Sequence, residues 1–163
     1  MSAQKSVATL RIGLIGSGFV ANFHVQGLVA VRHVTVAGIH SPNADHREAL
    51  ARKVNELELG PCRAFASIEA MAGAVDALWI LVPNDARLPV MREIHRLVTS
   101  GTMKLVGVAC EKPLARTLAE GREMLRLVED AKLLHAYLEN QLFAPSIVRG
   151  KEILWRQIGR AHV

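Results

Sequence analysis

Short apolar runs and amphipathic stretches alternate along this chain from about residue 9 onward. Residues 9–15 read as a strand, 19–31 as a helix, and 34–39, rich in β-branched side chains, as a second buried strand. A helix follows over 43–56, and Ala64 and Phe65 suit a short edge strand before a brief helix capped by Ser67. Residues 76–82 form a continuous apolar strand stopped by Pro83 and Asn84. The next helix, over about 87–100, tolerates Pro89 only in its first turn and ends at Gly101, handing over to a strand over 104–109. Thr117 and Glu120 have the spacing of a capping box that opens a helix to about residue 133, and 134–138 supply a sixth strand. Unbroken apolar strands separated by helices fit a parallel sheet covered on both faces. The fold class is therefore α/β, a doubly wound parallel sheet in the order 3-2-1-4-5-6.

In such a sheet ligands sit at the carboxyl ends of the strands, so the residues just after each apolar run carry the chemistry. After strand one stand Gly16, Gly18 and Ala21. Gly16 allows a tight turn, Gly18 removes a side chain that would keep a phosphate from the peptide N–H groups, and Ala21 lets the helix lie close to the strand. The helix N-terminus then faces a diphosphate. After strand two come His40 and Ser41, with no acidic residue between Asn22 and Ala44. A carboxylate there would bind a ribose 2′-hydroxyl and repel a 2′-phosphate, while Ser41, His46 and Arg47 lie where a phosphate could be met. That inclines the cofactor choice from NAD toward NADP, although Ser41-Pro42-Asn43 also reads simply as a helix entry. Pro83 and Asn84 follow strand four, and Glu111-Lys112-Pro113 follows strand five. Proline keeps Lys112 in extended backbone, from which its ammonium could reach across the crevice, with Glu111 pairing with it or anchoring backbone.

Composition narrows the alternatives. Half of the 163 residues are hydrophobic, enough for one buried core, and no apolar run approaches membrane-spanning length. The start of the chain lacks a continuous apolar segment of the signal-peptide kind, which reads as cytoplasmic. The net charge of +5 invites a nucleic-acid partner, yet the cations are scattered and no run alternates them with the seven aromatic residues. Cys62 and Cys110 lack metal-ligand spacing and read as buried thiols, so no metal site is expected. An S-adenosylmethionine methyltransferase, which also opens on a glycine-rich turn, would carry an acidic residue after strand two.

With these clusters in order, the chain resembles the Gfo/Idh/MocA family of oxidoreductases. The likeness rests on Arg11-Ile-Gly-Leu-Ile-Gly16 with Gly18, Ala21 and His24, on Val75-Asp76-Ala-Leu leading to Pro83-Asn84, on Glu111-Lys112-Pro113-Leu114-Ala115, and on Leu138-Glu139-Asn140 with Phe143-Ala144-Pro145. It implies NAD(P)-dependent oxidation or reduction at a carbon bearing a hydroxyl or carbonyl on a sugar, cyclitol or related polyol. By the same resemblance Gly16, Gly18, Phe19 and Val20 bind the cofactor's pyrophosphate region, Ser41 its adenosine ribose, Pro83 and Asn84 its inner face, and Glu111 and Asn140 the nicotinamide end, with Lys112 at the reaction centre. Arg87 stands where the family commonly has a histidine.

The resemblance also implies a division into a nucleotide-binding domain over 1–140 and, over 141–163, the linker or first helix of a C-terminal α/β domain that members continue into, which supplies an Asp/His pair and usually the oligomer interface. Ile147, Ile153, Leu154, Trp155 and Ile158 form an apolar tail expected to pack on the sheet or to begin a longer element, and His162 is expected to play no catalytic part. A non-catalytic NAD(P)-binding sensor or regulatory module is the alternative reading of the same pocket.

Overall fold

Leu10–Ile15 (β1) is the strand around which the sheet is laid, because its alternating side chains serve both faces. Ile12 and Leu14 enter one core with Val25, Leu50 and Val54, while Ile15 enters the other with Leu78, Ile80, Met91 and Ile94. Burial of side chains as complete as these contributes roughly 1.5–3 kcal/mol each. β1 pairs in parallel with β2 (Val34–His40) on one side and with β4 (Ala77–Ile80) on the other. Outside these lie β3 (Arg63–Phe65), β5 (Gly107–Glu111) and β6 (Leu134–Leu138), so the order is 3-2-1-4-5-6 as the apolar pattern requires. The computed structural model describes residues 8–157.

Two helices cover the β1–β2 side of the sheet: α1 (Phe19–Leu28), which buries Ala21, Val25 and Leu28, and α2 (Ala44–Glu56), which buries Leu50, Ala51 and Val54. The opposite face carries α3 (Asn84–Thr99) and α4 (Leu118–Asp130). Among the described residues no helix is long and apolar enough to cross a membrane.

Several boundaries differ from the sequence expectation, each for a physical reason. The fifth strand begins at Gly107 rather than at residue 104, because its ladder starts opposite Ala77, where β4 itself starts, and it runs on to include Glu111. Helix α3 begins three residues early, at Asn84, so Pro89 is an interior residue and not part of the first turn; it supplies no N–H to the carbonyl four residues back. The capping box at α4 is half formed. Thr117 Oγ1 accepts the Glu120 N–H at 3.2 Å, but the Glu120 carboxylate accepts the Arg116 N–H at 3.1 Å, drawn one residue back by the Arg116 guanidinium. Beyond β6 a 3₁₀ turn (Asn140–Phe143) leads into α5 (Pro145–Gln157). Of the two arrangements expected for the apolar tail, packing on the sheet does not occur: Ile147, Ile153, Leu154 and Trp155 are exposed, Trp155 at 77 %. Ile158 and His162 lie outside the described residues.

Candidate functional site

The carboxyl edge of the sheet opens into a crevice of about 410 Å³, a size usual for ligand pockets, lined among others by Gly16, Gly18, Ser41, Pro83, Arg87 and Glu111. Its two glycines differ in what they require. Gly16 has φ of +115°, and a Cβ on it would stand 2.9 Å from the carbonyl carbon and oxygen of Leu81, so the turn itself demands glycine. Gly18 has an ordinary φ of −79°, and a Cβ there would meet nothing within 4 Å. The fold does not need glycine at 18; its effect is to keep the space in front of α1 open. Gly18 caps α1 without any side-chain bond, and the first turn holds no acidic residue, so the leading N–H groups and the positive end of the helix stay available to an anion.

Ser41 is buried, and its carbonyl accepts Arg47 Nη1 at 3.1 Å. Arg47 is thereby spent partly on closing its own turn. A second cation, missed by the sequence reading, faces the glycine turn instead: Lys53 Nζ lies 3.0 Å from Asn22 Oδ1 and lines an adjoining hollow with Ser17, Gly18 and His46. His46, Ala49, Leu50 and Lys53 recur at helical spacing on α2, which is the pattern that could have found it. At the start of α3, Asn84 Oδ1 is buried with no hydrogen-bond partner among the described residues, and Asn84, next to Pro83, does not itself line the crevice. An uncapped helix and an open glycine together fit a dinucleotide in this crevice.

The crevice continues into a smaller hollow of about 210 Å³ that brings together Phe19, Val20, His24, Glu111, Lys112 and Asn140. Here the walls are braced by bonds. Glu111 is buried; one carboxylate oxygen accepts the Lys112 N–H at 2.8 Å, and the other lies 2.8 Å from His24 Nε2. Of the two roles open to Glu111, anchoring backbone is the one the geometry shows. His24 is held in turn against Trp79, with ring centroids 5.3 Å apart in an edge-to-face arrangement. The Lys112–Pro113 peptide is cis, and the lysine is exposed at the crevice mouth.

Arg87 is the largest departure from what the sequence reading anticipated. The residue is only 6 % exposed, and its guanidinium donates to three main-chain carbonyls: Val82 at 3.2 Å, Glu111 at 2.6 Å and Lys112 at 3.1 Å. It ties the start of α3 to the end of β5. The signal was present, since Arg87 falls on the same helical stripe as the buried Met91 and Ile94, where a cation must find partners.

The cysteines stand apart from this chemistry. Burial pushes the Cys62 thiol up to about 12 and the Cys110 thiol up to about 11, so neither is a thiolate near neutral pH. Cys110 lines a separate, almost wholly apolar cavity of about 80 Å³ between β5, β6, α3 and α4.

Sheet order, glycine turn and crevice define a Rossmann-type α/β domain of the nucleotide-binding class. The chain belongs to the Gfo/Idh/MocA family, whose description, oxidoreductase family with NAD-binding Rossmann fold, matches residues 10–138. It is 29% identical over 129 residues to the UDP-N-acetylglucosamine 3-dehydrogenase of Acidithiobacillus ferrooxidans, covering 78% of this chain and 36% of that protein. It is 32% identical over 124 residues to the 1,5-anhydro-D-fructose reductase of Ensifer adhaerens, covering 74% and 33%. Thus it spans about a third of the length of these curated relatives. Its fold matches a dehydrogenase of Bordetella pertussis solved with NADH and UDP-GlcNAcA, with a TM-score of 0.76 at 18% identity over 91% of this chain and 40% of that one.

Proposed function

We propose that this chain is the cofactor-holding part of an NAD(P)-dependent oxidoreductase acting on a CH–OH group of a sugar, cyclitol or related polyol. The observation that carries the reading is Gly18, a glycine the backbone does not need, opening the first turn of α1 onto a crevice that ends at Lys112. In this reading the N–H groups around Gly16, Gly18, Phe19 and Val20 bind the diphosphate, Ser41 the adenosine ribose, and Pro83 and Asn84 the inner face. Glu111 and Arg87 hold the main chain at Lys112, and the Lys112 ammonium and Asn140 amide orient the nicotinamide end and the substrate hydroxyl. The bound dinucleotide supplies hydride acceptance or donation. The relatives named above act on a nucleotide-linked amino sugar and on an anhydro sugar, which supports a polyol substrate.

Between the two coenzymes the reading inclines to NADP. No carboxylate stands between the end of β2 and Ala44, and Ser41 and His46 line the crevice at the turn where a 2′-phosphate would lie. The free, buried thiols of Cys62 and Cys110 suit a reducing compartment such as the cytoplasm. A second reading, a non-catalytic NAD(P) sensor, draws on the exposure of the nicotinamide end, where Phe19 is 84 % exposed and water is not excluded.

Fluorescence titration with NADH and NADPH tests the binding. Lys112→Ala, made in a full-length relative carrying the same Glu-Lys-Pro sequence, should abolish turnover of a polyol panel while leaving cofactor affinity nearly unchanged. Unchanged turnover would remove the role given to the lysine, and tight binding without any turnover in the longer protein would favour the sensor.

A further inference from the structure

Lys53, on the last turn of α2, is half-buried against the glycine turn and pairs with no carboxylate among the described residues. Its ammonium instead donates to Asn22 Oδ1 at 3.0 Å, across 31 residues of sequence. The other end of the same carboxamide, Asn22 Nδ2, donates to the Gly18 carbonyl at 3.1 Å and reaches that of Ser17 at 3.5 Å. An ammonium can only donate and a carbonyl only accept, so these neighbours fix which way the amide faces. An asparagine bonded to a carbonyl four residues back in its own helix is an ordinary local arrangement. A cation brought from a second helix to lock it there is not. The two carbonyls belong to the Ser17–Gly18 and Gly18–Phe19 peptide units, and in a trans peptide the N–H points opposite to the C=O. The N–H groups of Gly18 and Phe19 therefore face away from Asn22, and among the described residues neither has an acceptor. They are the donors that the uncapped start of α1 presents to the crevice.

We infer that Lys53 and Asn22 are positioning residues for the diphosphate of the bound dinucleotide, acting through the glycine turn without touching the phosphates. The inference rests on the cofactor reading above and adds two residues which that reading does not use. Hydrogen bonds in series polarise one another. A positive charge on the carboxamide oxygen strengthens the amide's donation to the two carbonyls and, through each peptide unit, the N–H donor on its far side. The carboxamide also holds both peptide planes at the angle that aims those N–H groups outward, in a turn where glycine leaves the backbone free to rotate. The shape of the turn stays a local matter of its glycines, while the strength and aim of its donors are set from α2.

The test is calorimetric titration of the chain with NADH, NADPH and ADP-ribose, the last carrying the diphosphate without the nicotinamide. Lys53→Met should weaken all three by a common factor of roughly five, and Asn22→Ala by as much or more. Asn22→Asp, which keeps an acceptor for Lys53 but turns a carboxylate oxygen toward the Ser17 and Gly18 carbonyls, should weaken them further. The double variant should lose little beyond Asn22→Ala alone, because a relay broken at one link is not broken again at the next. In the ligand-free protein the Gly18 and Phe19 amide proton resonances should move upfield in Lys53→Met, a signature that a loss of helix stability does not give. Thermal melts establish which variants are folded. Should Asn22→Ala fail to fold, Lys53→Met decides, through its common loss and its shifted resonances. Losses that multiply in the double variant, or a loss confined to NADPH, would show Lys53 meeting a phosphate directly and overturn the proposal. Full affinity in folded Lys53→Met would overturn it too, with the cofactor reading left intact. Binding of none of the three by the unaltered chain would overturn both.

Discussion

The two ends of the crevice are made by opposite means. At Gly16 and Gly18 the surface is shaped by side chains left out, and the groups it presents are main-chain N–H donors. At Glu111 and Lys112 it is shaped by polar side chains brought in from three elements, His24 from α1, Arg87 from α3 and Glu111 from β5. The first end is a local property of a few consecutive residues; the second exists only when the sheet is assembled. Substitution of Gly18 at the first should separate folding from binding, and those at the second should move both together.

Gly16→Val gives the largest expected effect, since it combines a left-handed backbone angle with a clash against the Leu81 carbonyl. A loss of about 3 kcal/mol or more in urea denaturation is expected. Less than about 1 kcal/mol would show that the turn can relax. At the other end, Glu111→Ala leaves the Lys112 N–H and His24 without their acceptor and should cost about 2 kcal/mol in the same measurement. Cofactor affinity should fall in parallel, and a stable variant with weakened binding would break the distinction between the ends.

Gly18→Ser sharpens the distinction further. Serine caps a helix slightly better than glycine, so stability should hold or rise by a few tenths of a kcal/mol while dinucleotide affinity falls roughly tenfold. The smallest effect is reserved for the far edge of the sheet, where Arg11 and Asp76 join the starts of β1 and β4. The Arg11 hydrogen bond, ahead of its charge, holds the Asp76 carboxyl below its ordinary range. The stabilisation is therefore complete above the unfolded value of about 3.9 and disappears as pH falls through the lower folded value. Asp76→Asn should flatten that acid limb in pH-dependent urea melts and leave cofactor titrations untouched; the pair is too exposed for a large loss at neutral pH.

The same contrast accounts for what could be read from the amino acids. Strand order was legible because β1, β4 and β5 are buried on both faces and so announce themselves as unbroken apolar runs, and Gly16 and Gly18 because their spacing is local. Where β5 begins was not, since that is set by its partner β4. Arg87 was noticed as a departure without its role, because three carbonyls distributed over residues 82–112 leave no mark in the neighbourhood of residue 87. The position of α5 was equally hidden: an amphipathic helix specifies that one side seeks cover and not where the cover lies.

The placement of β1 between β2 and β4 also bears on how the protein is born. Gly16 donates its N–H to the His40 carbonyl at 2.8 Å, Leu81 donates to the Ile15 carbonyl at 2.8 Å, and the turn is walled by Leu81 itself. A ribosome delivers the glycine loop before its mould, which is not finished until residue 81 has emerged. The pocket this loop shapes is consequently complete only after residues far along the chain have joined it.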